Sequence, residues 1–347
     1  MSAERNAEIN VYSGAGYEAI ELGTQLRSLI GGTAILLAFC ASLCGAQAPI
    51  ERRSPAQKAT DQTSTLVLES RLVTVAVNAV DDKGSPVGGL DKPDFRLLED
   101  GKEQKIAFFD KESATPLSIV LAIDASGSTQ TSQRLEKEAA KKFVQSLLRE
   151  QDELDLMEFS DNVREIVAFT PDKRRIADGL NELHHGDATA LYDAIYLASQ
   201  RLGETSQSNG RRRVLVLITD GGDTTHGTQY PQALEQAQRA GVIIYSLIVI
   251  PIWADAGRNT GGEHALMQLS EDTGGKFYFI QESRDLAPAF AKVSDDLRTQ
   301  YTLGYYAPQK TPQSRSDGFR TIKVEVTDPA ASDKISLRYR TGYYAAK

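Results

Sequence analysis

Cysteine is almost missing from this chain. Of its 347 residues only Cys40 and Cys44 are cysteines, and both lie in one short apolar stretch. No disulfide framework can staple the rest of the chain. Histidine is scarce as well: His184, His185, His226 and His264 are scattered, and the adjacent pair would point to different sides of a helix. A zinc or copper site of thiolate and imidazole is therefore not expected. Positive charge is in deficit, with 39 Lys and Arg against 47 Asp and Glu, a formal net charge of −8. A general nucleic-acid binder needs a cationic face for phosphate, so that class is set aside. No G-x-x-x-x-G-K-[ST] loop, G-x-G-x-x-G turn or G-x-S-x-G elbow occurs. Phosphoryl transfer, dinucleotide chemistry and serine hydrolysis thus lack their usual parts, and the chain reads as a non-enzyme.

What is present is ordinary globular usage, with 41% hydrophobic and 25% charged residues, which excludes a largely disordered chain. One stretch stands apart. From Ser28 to Ile50 there is no charge; Arg27 precedes Leu29, Ile30, the run Ala34–Phe39 and Leu43, and Ala46-Gln47-Ala48 follows. A positive residue, an apolar run and small residues form a secretory signal, so an exported location is expected: periplasm, envelope or secretion. A membrane anchor that is never cut is the alternative, and the only expected route to the membrane. Leu43 is too large for the usual lipid-attachment pattern at Cys44. Residues 49–64 are polar, lack periodicity and read as a linker.

Three blocks follow. In residues 65–115, Val73, Val75, Val77 and Ala79 alternate with Thr74, Ala76 and Asn78, the period of a strand with one buried face. Asp81-Asp82-Lys83-Gly84 is a turn signal. Phe95–Glu99 and Ile106–Phe109 are expected as strands around an Asp100-Gly101 hairpin. Residues 116–300 change character: apolar runs of strand length (Leu117–Ile123, Leu154–Phe159, Val214–Ile218, Val242–Ile250) alternate with amphipathic helices near 135–147, 190–202, 232–240 and 285–300. That pattern predicts an α/β fold with a doubly wound, mainly parallel sheet. A long loop carrying Trp253, Gly257, Gly261 and Gly262 is a candidate partner-contact loop. Residues 301–347 return to period two, in Ile322, Val324, Val326 and again in Ile335, Leu337, Tyr339. The two outer blocks are marginal as isolated sheets. One antiparallel β-sandwich made from both, with the α/β domain inserted between them, is the simplest solution. Tyr301, Tyr305, Tyr306, Tyr339, Tyr343 and Tyr344 are expected mainly to pack that sandwich.

Ligands of open α/β sheets gather at the carboxyl ends of the strands. Here Leu117–Ile123 runs into Asp124-Ala125-Ser126-Gly127-Ser128, and Val214–Ile218 into Thr219-Asp220-Gly221-Gly222-Asp223; Gly186-Asp187-Ala188-Thr189 precedes the helix at Ala190. Asp124, Ser126, Ser128, Thr189 and Asp220 all offer oxygen, which suits a small hard cation. Neutral hydroxyls leave such an ion excess positive charge and an open position that a carboxylate from another molecule can fill. Each residue also has a plainer role, as a helix N-cap or turn former. Asp193 is assigned to fixing loop structure, and Asp223 to the loop itself. Gly127, Gly221 and His226 lie at the same rim and are candidate ligand-contact positions.

The ordered set D-x-S-x-S, loop Thr, then strand-T-D-G resembles the von Willebrand factor type A domain with its metal-ion-dependent adhesion site. The match assigns the metal to Asp124, Ser126, Ser128, Thr189 and Asp220. The flanks are similar to bacterial secreted proteins related to that family, through Asp81-Asp82-Lys83-Gly84, Asp94-Phe95, Glu99-Asp100-Gly101 and Gln104, and through Tyr301–Tyr306 and Arg340-Thr341-Gly342-Tyr343-Tyr344. The resemblance implies Mg²⁺, with Mn²⁺ or Ca²⁺ as substitutes, and metal-dependent binding of a protein ligand presenting Asp or Glu. A structural or assembly component of the envelope, with the ion only bracing loops, is the alternative reading; a Mg²⁺-dependent hydrolase is a remote one.

Overall fold

A computed structural model describes residues 72–111, 115–126, 133–205, 210–250, 259–307 and 318–345. The expected signal, both cysteines, the linker, Trp253, Gly127 and Ser128 lie outside the described residues. The described residues all belong to one contact unit, Leu66–Lys347. In chain order the strands are β1 (Leu72–Asp81), β2 (Phe95–Glu99), β3 (Lys102–Gln104), β4 (Ile106–Asp110), β5 (Leu117–Asp124), β6 (Glu153–Phe159), β7 (Val163–Thr170), β8 (Arg212–Thr219), β9 (Val242–Val249), β10 (Phe277–Ile280), β11 (Tyr301–Tyr306), β12 (Phe319–Val326), β13 (Ile335–Arg338) and β14 (Gly342–Tyr344). The helices are α1 (Gln133–Leu147), α2 (Lys173–Gly179), α3 (Leu191–Thr205), α4 (Tyr230–Ala240), α5 (Thr260–Thr273), α6 (Leu286–Arg298) and the single turn α7 (Pro329–Ser332). Among the described residues no helix is long and apolar enough to cross a membrane.

The middle block forms a six-stranded sheet in the order β10-β9-β8-β5-β6-β7. Every residue of β5 is buried, because helices cover both faces of the sheet. Ile119, Leu121 and Ile123 pack with Phe143 and Val144 of α1 and Phe290 and Val293 of α6. Val120 and Ala122 face the other way, toward Ile195 and Ala198 of α3 and Ala233 and Ala237 of α4. The Phe143 and Phe290 rings stack with centroids 4.4 Å apart, and each buried ring of this kind contributes about 2–3 kcal/mol. The sheet is parallel except at one edge, where β7 runs antiparallel to β6. That strand, together with β10, α2 and α5, was not legible in the periodicity. The expected glycine-rich loop is shorter than read, since Gly261 and Gly262 lie in the first turn of α5.

The outer blocks combine as expected. One sheet has the order β13-β1-β11-β4 and the other β14-β12-β2-β3, so each mixes strands from both ends of the chain. Val75, Val77, Leu97, Leu303, Ile322 and Val324 share one core between them. The hairpin turn is at Asp100-Gly101, both with positive φ (48° and 76°), as a two-residue turn of this kind requires. Its partner strand is a correction: β2 pairs with the short β3, whereas β4 crosses to the other sheet and pairs with β11. The Tyr301, Tyr305 and Tyr343 side chains are buried in the sandwich, while Tyr306 is exposed. Arg338 of β13 pairs with Asp296 of α6, and the Thr341 amide donates to the Asp272 carbonyl at the end of α5. These contacts hold the sandwich to the α/β domain.

Candidate metal centre

The central strand β5 delivers Asp124 to the carboxyl end of the sheet, where it is only 2% exposed. Its Oδ1 accepts from the Ser126 amide at 2.9 Å and its Oδ2 from the Thr219 hydroxyl at 2.7 Å. Thr219 ends β8, and its hydroxyl in turn accepts from the Gly221 amide at 3.1 Å. One threonine thus joins the first loop to the third. Burial pushes the Asp124 carboxyl up to about 6; hydrogen bonds from Ser126 and Thr219 oppose that rise, and the like charge of Asp220 adds to it.

Ser126 is 3% exposed and forms a parallel bridge with Gly186, whose amide donates to the Ala125 carbonyl at 3.1 Å. The second loop is therefore laid directly against the first. Thr189 is buried, and two hydrogen bonds of its backbone reach the third loop: its amide donates to the Thr224 hydroxyl at 2.8 Å, and its carbonyl accepts from the Thr224 amide at 2.9 Å. That pair ties the second loop to the third. Asp220 is half-buried, and its Oδ1 accepts from the Gly222 amide at 3.2 Å. Asp124, Ser126, Thr189 and Asp220 are thus carried by three interlocked loops. Ser128 is beyond the described residues.

Several residues that build the rim are not donor positions of the motif in the sequence. Asp161, just after β6, accepts from the amides of Asp187 and Ala188 at 3.2 and 3.1 Å, and so holds the second loop from beneath. Gly186 makes room for it: a Cβ there would come within 2.1 Å of the Asp161 carboxylate. The signal available was an acid following a parallel strand, the same signal that pointed to Asp124. Thr219 and Thr224 were visible only as parts of a polar loop. Asp193 on α3 accepts from the Thr228 amide at 2.8 Å, and also from the Thr228 hydroxyl, which makes it a loop-fixing residue. Asp223 accepts from the Tyr192 amide at 3.3 Å, at the start of α3.

Gly221 is buried with φ 87° and packs beneath the first turn of α5. A Cβ on it would meet the Glu263 amide at 3.1 Å, and a Cβ on Gly262 would meet the Gly221 carbonyl oxygen at 1.6 Å. The glycines are needed for this close approach. His226 is exposed in the third loop with φ 56°.

The donor set fits a hard divalent cation. All its side chains present oxygen, and a dication among them would offset both the burial of Asp124 and its repulsion from Asp220. Among the described residues no three His, Cys, Asp or Glu side chains gather into a metal site, so a cation at this rim would need the hydroxyls as well as the two carboxylates.

A model of the von Willebrand factor type A domain matches residues 118–292, about half of the chain. No curated protein matches. Among solved structures, similarity is found to an aerotolerance-related membrane protein from Bacteroides fragilis (19% identity, 52% of this chain and 98% of that one, TM-score 0.41). A von Willebrand factor type A protein from Catenulispora acidiphila is 13% identical over 73% of this chain and 74% of its own, with TM-score 0.46. Proximal thread matrix protein 1 from the mussel byssus, with a zinc-occupied MIDAS motif, is 14% identical over 54% of this chain and 49% of its own, with TM-score 0.44. The strand order, the D-x-S-x-S loop at the end of β5 and the matched residues lead to one conclusion: the chain belongs to the von Willebrand factor type A domain family.

Proposed function

We propose that this protein is an exported, metal-dependent protein-binding module. Asp124, Ser126, Ser128, Thr189 and Asp220 hold Mg²⁺, and an Asp or Glu of a partner protein completes its shell. When bound, the ion supplies a Lewis-acidic position for that carboxylate. The chain's own residues orient the donors: Thr219 holds Asp124, Thr224 holds Thr189, and Asp161 and Asp193 hold the loops on either side. The apolar stretch near the start of the sequence supports export.

One observation favours binding over a purely structural ion. The rim loops are already locked to one another by direct hydrogen bonds through Thr219, Thr224, Asp161 and Asp193. Loops held in this way do not need an ion as a brace, which leaves its charge for a guest.

The test uses the full-length protein and Asp124→Ala. Calorimetric titration with Mg²⁺ is expected to give saturable binding to the wild type, weakened at least about a hundredfold in Asp124→Ala, since even outer-shell partners of a metal cost 10–100-fold. Capture of an acidic partner from envelope extract is expected to vanish with chelator and with Asp124→Ala. Capture that survives both treatments overturns the binding proposal. Loss of thermal stability alone, without any loss of capture, assigns the ion to structure instead.

A further inference from the structure

The opposite end of the sheet carries a second feature. Where β8 begins, a cavity of about 550 Å³ opens between the α/β domain and the sandwich. That is the size of a pocket for a small organic molecule. β8 is eight residues long, which separates this cavity from the metal rim by roughly 25 Å.

Arg211, Arg212, Arg213, Arg239 and Arg340 all line the cavity, and no Asp or Glu does among the described residues. Two of the five are paired with acids; a third, Arg212, has no acidic partner among the described residues and a buried Nε without an acceptor, but both of its Nη atoms are used within the fold. Arg239 pairs with Glu235, Arg211 reaches Glu153 at 3.9 Å, and Arg212 donates to Gln300 and to the Leu297 carbonyl. Arg213 and Arg340 differ. Arg213 donates Nη1 to the Ala240 carbonyl at the end of α4, and Arg340 donates Nη2 to the Thr74 carbonyl at 2.7 Å. Neither has an acidic partner among the described residues, and the Nε of each is buried without an acceptor. Arg213 Nη2 and Arg340 Nη1 also have no protein acceptor there. Burial pulls both guanidinium pKa values down, and for Arg340 the like charge of Arg213 adds to the effect. Both side chains are half-buried; carbonyls satisfy some of their hydrogen bonding but do not neutralise two neighbouring cations, and a charge partly withdrawn from water without a counter-charge is costly. The Thr302 hydroxyl, also on the cavity wall, is buried without a partner among the described residues.

The remaining wall is apolar. Leu72 and Phe108 are 43% and 44% exposed. Tyr343 and Tyr344 continue the surface, with the Arg340 guanidinium carbon 5.2 Å from the Tyr343 ring centre and that of Arg239 4.2 Å from the Tyr344 ring centre. Two cations without counter-charge beside an apolar wall suit a ligand of matching polarity. We infer that this cavity binds a small organic anion, a carboxylate or phosphate head on an apolar body, with the head on Arg213 and Arg340 and the body against Leu72, Phe108 and Tyr343.

The experiment is run on the full-length chain in the presence of chelator, so its outcome is independent of the metal rim. Calorimetry and thermal-shift measurements compare decanoate, decyl phosphate, decanol and inorganic phosphate, all below micelle-forming concentrations. Decanoate or decyl phosphate is expected to bind at least tenfold more tightly than decanol and inorganic phosphate; whichever of the two binds more tightly identifies the head group. Arg213→Gln with Arg340→Gln is expected to weaken that binding tenfold or more. Leu72→Glu, a change at an exposed residue, is expected to weaken it severalfold by placing an acid beside the apolar wall, and decides the matter if the double variant does not fold. Equal binding of decanol means that only the apolar wall is sticky, and equal binding of inorganic phosphate means an adventitious ion only; either result overturns the inference. So does an absence of binding by all four compounds, or unchanged affinity in the folded variants.

Discussion

Two buried carboxylates in this molecule have opposite surroundings. Glu99 ends β2 inside the sandwich and is 3% exposed. Arg320 forms an ion pair with it, and the hydroxyls of Tyr305 and Tyr343 donate to it. Asp124 ends β5 in the α/β domain and is 2% exposed. Ser126 and Thr219 donate hydrogen bonds to it, and the charge of Asp220 acting on it has the same sign as its own. The first carboxylate is neutralised by a cation of the protein, and its role is to hold β2, β11, β12 and β14 together. The second is held in place with its negative charge reinforced, which suits a cation from outside. The arginines repeat the contrast: Arg320 has an acid, whereas Arg213 and Arg340 have none among the described residues. Charge left uncompensated by the fold marks both proposed sites.

The contrast breaks most sharply at Glu99. Glu99→Ala leaves Arg320 as an unpaired buried cation and two tyrosine hydroxyls without their acceptor. It is expected to cost about 3–5 kcal/mol in urea unfolding, while Mg²⁺ affinity per folded molecule stays unchanged. A parallel fall in metal affinity would mean that the two regions are coupled. The next effect is at Gly221. Gly221→Ala puts a side chain at φ 87° and 3.1 Å from the Glu263 amide. A loss of about 1–3 kcal/mol is expected, together with weaker Mg²⁺ binding, because Asp220 is displaced with the loop; unchanged calorimetry would show that the loop tolerates the shift.

The smallest effect concerns a third buried acid, Asp155 on β6. It is fully buried, neither oxygen has a hydrogen-bond partner among the described residues, and Arg201 is 3.7 Å away. Burial first, and then the neighbouring Glu165, hold its carboxyl well above the usual range. The folded state therefore keeps a proton that the unfolded state has already lost above about pH 4. Stability is present in full below that pH and falls as pH rises toward the elevated folded value. Asp155→Asn is expected to flatten this slope and to add about 1 kcal/mol at pH 6 relative to pH 5. Equal melting shifts at both pH values would place a charged Asp155 in the native state.

Much of the architecture was legible because burial on both faces makes a strand read as a continuous apolar run, as in Leu117–Ile123 and Val214–Ile218. Period two revealed β1 and β12 for the complementary reason, one face buried and the other wet. The edge strand β7 has no such signature: only Val167 of its eight residues is buried, so no clean alternation exists. α5 was hidden by Gly261 and Gly262, poor helix formers that the structure accepts. The Asn259 side chain caps the first turn there, and Gly262 must lie against Gly221. At the site, the oxygen donors were readable by type and spacing. Thr219, Thr224 and Asp161 were not, because their roles depend on which loop lies opposite.

Residue order along the chain is enough to show which segments are strands of a covered sheet, that the outer strands have one wet face, and that the rim of the central sheet carries oxygen donors. Those properties are local: they follow from side-chain period and from what sits directly after a strand. Long-range packing is what carries β4 to the other sheet, locks Asp124 with Thr219, and brings Arg213 and Arg340 to the wall of one cavity. Each of these joins residues far apart in the chain, and no local periodicity encodes which buried faces pack together.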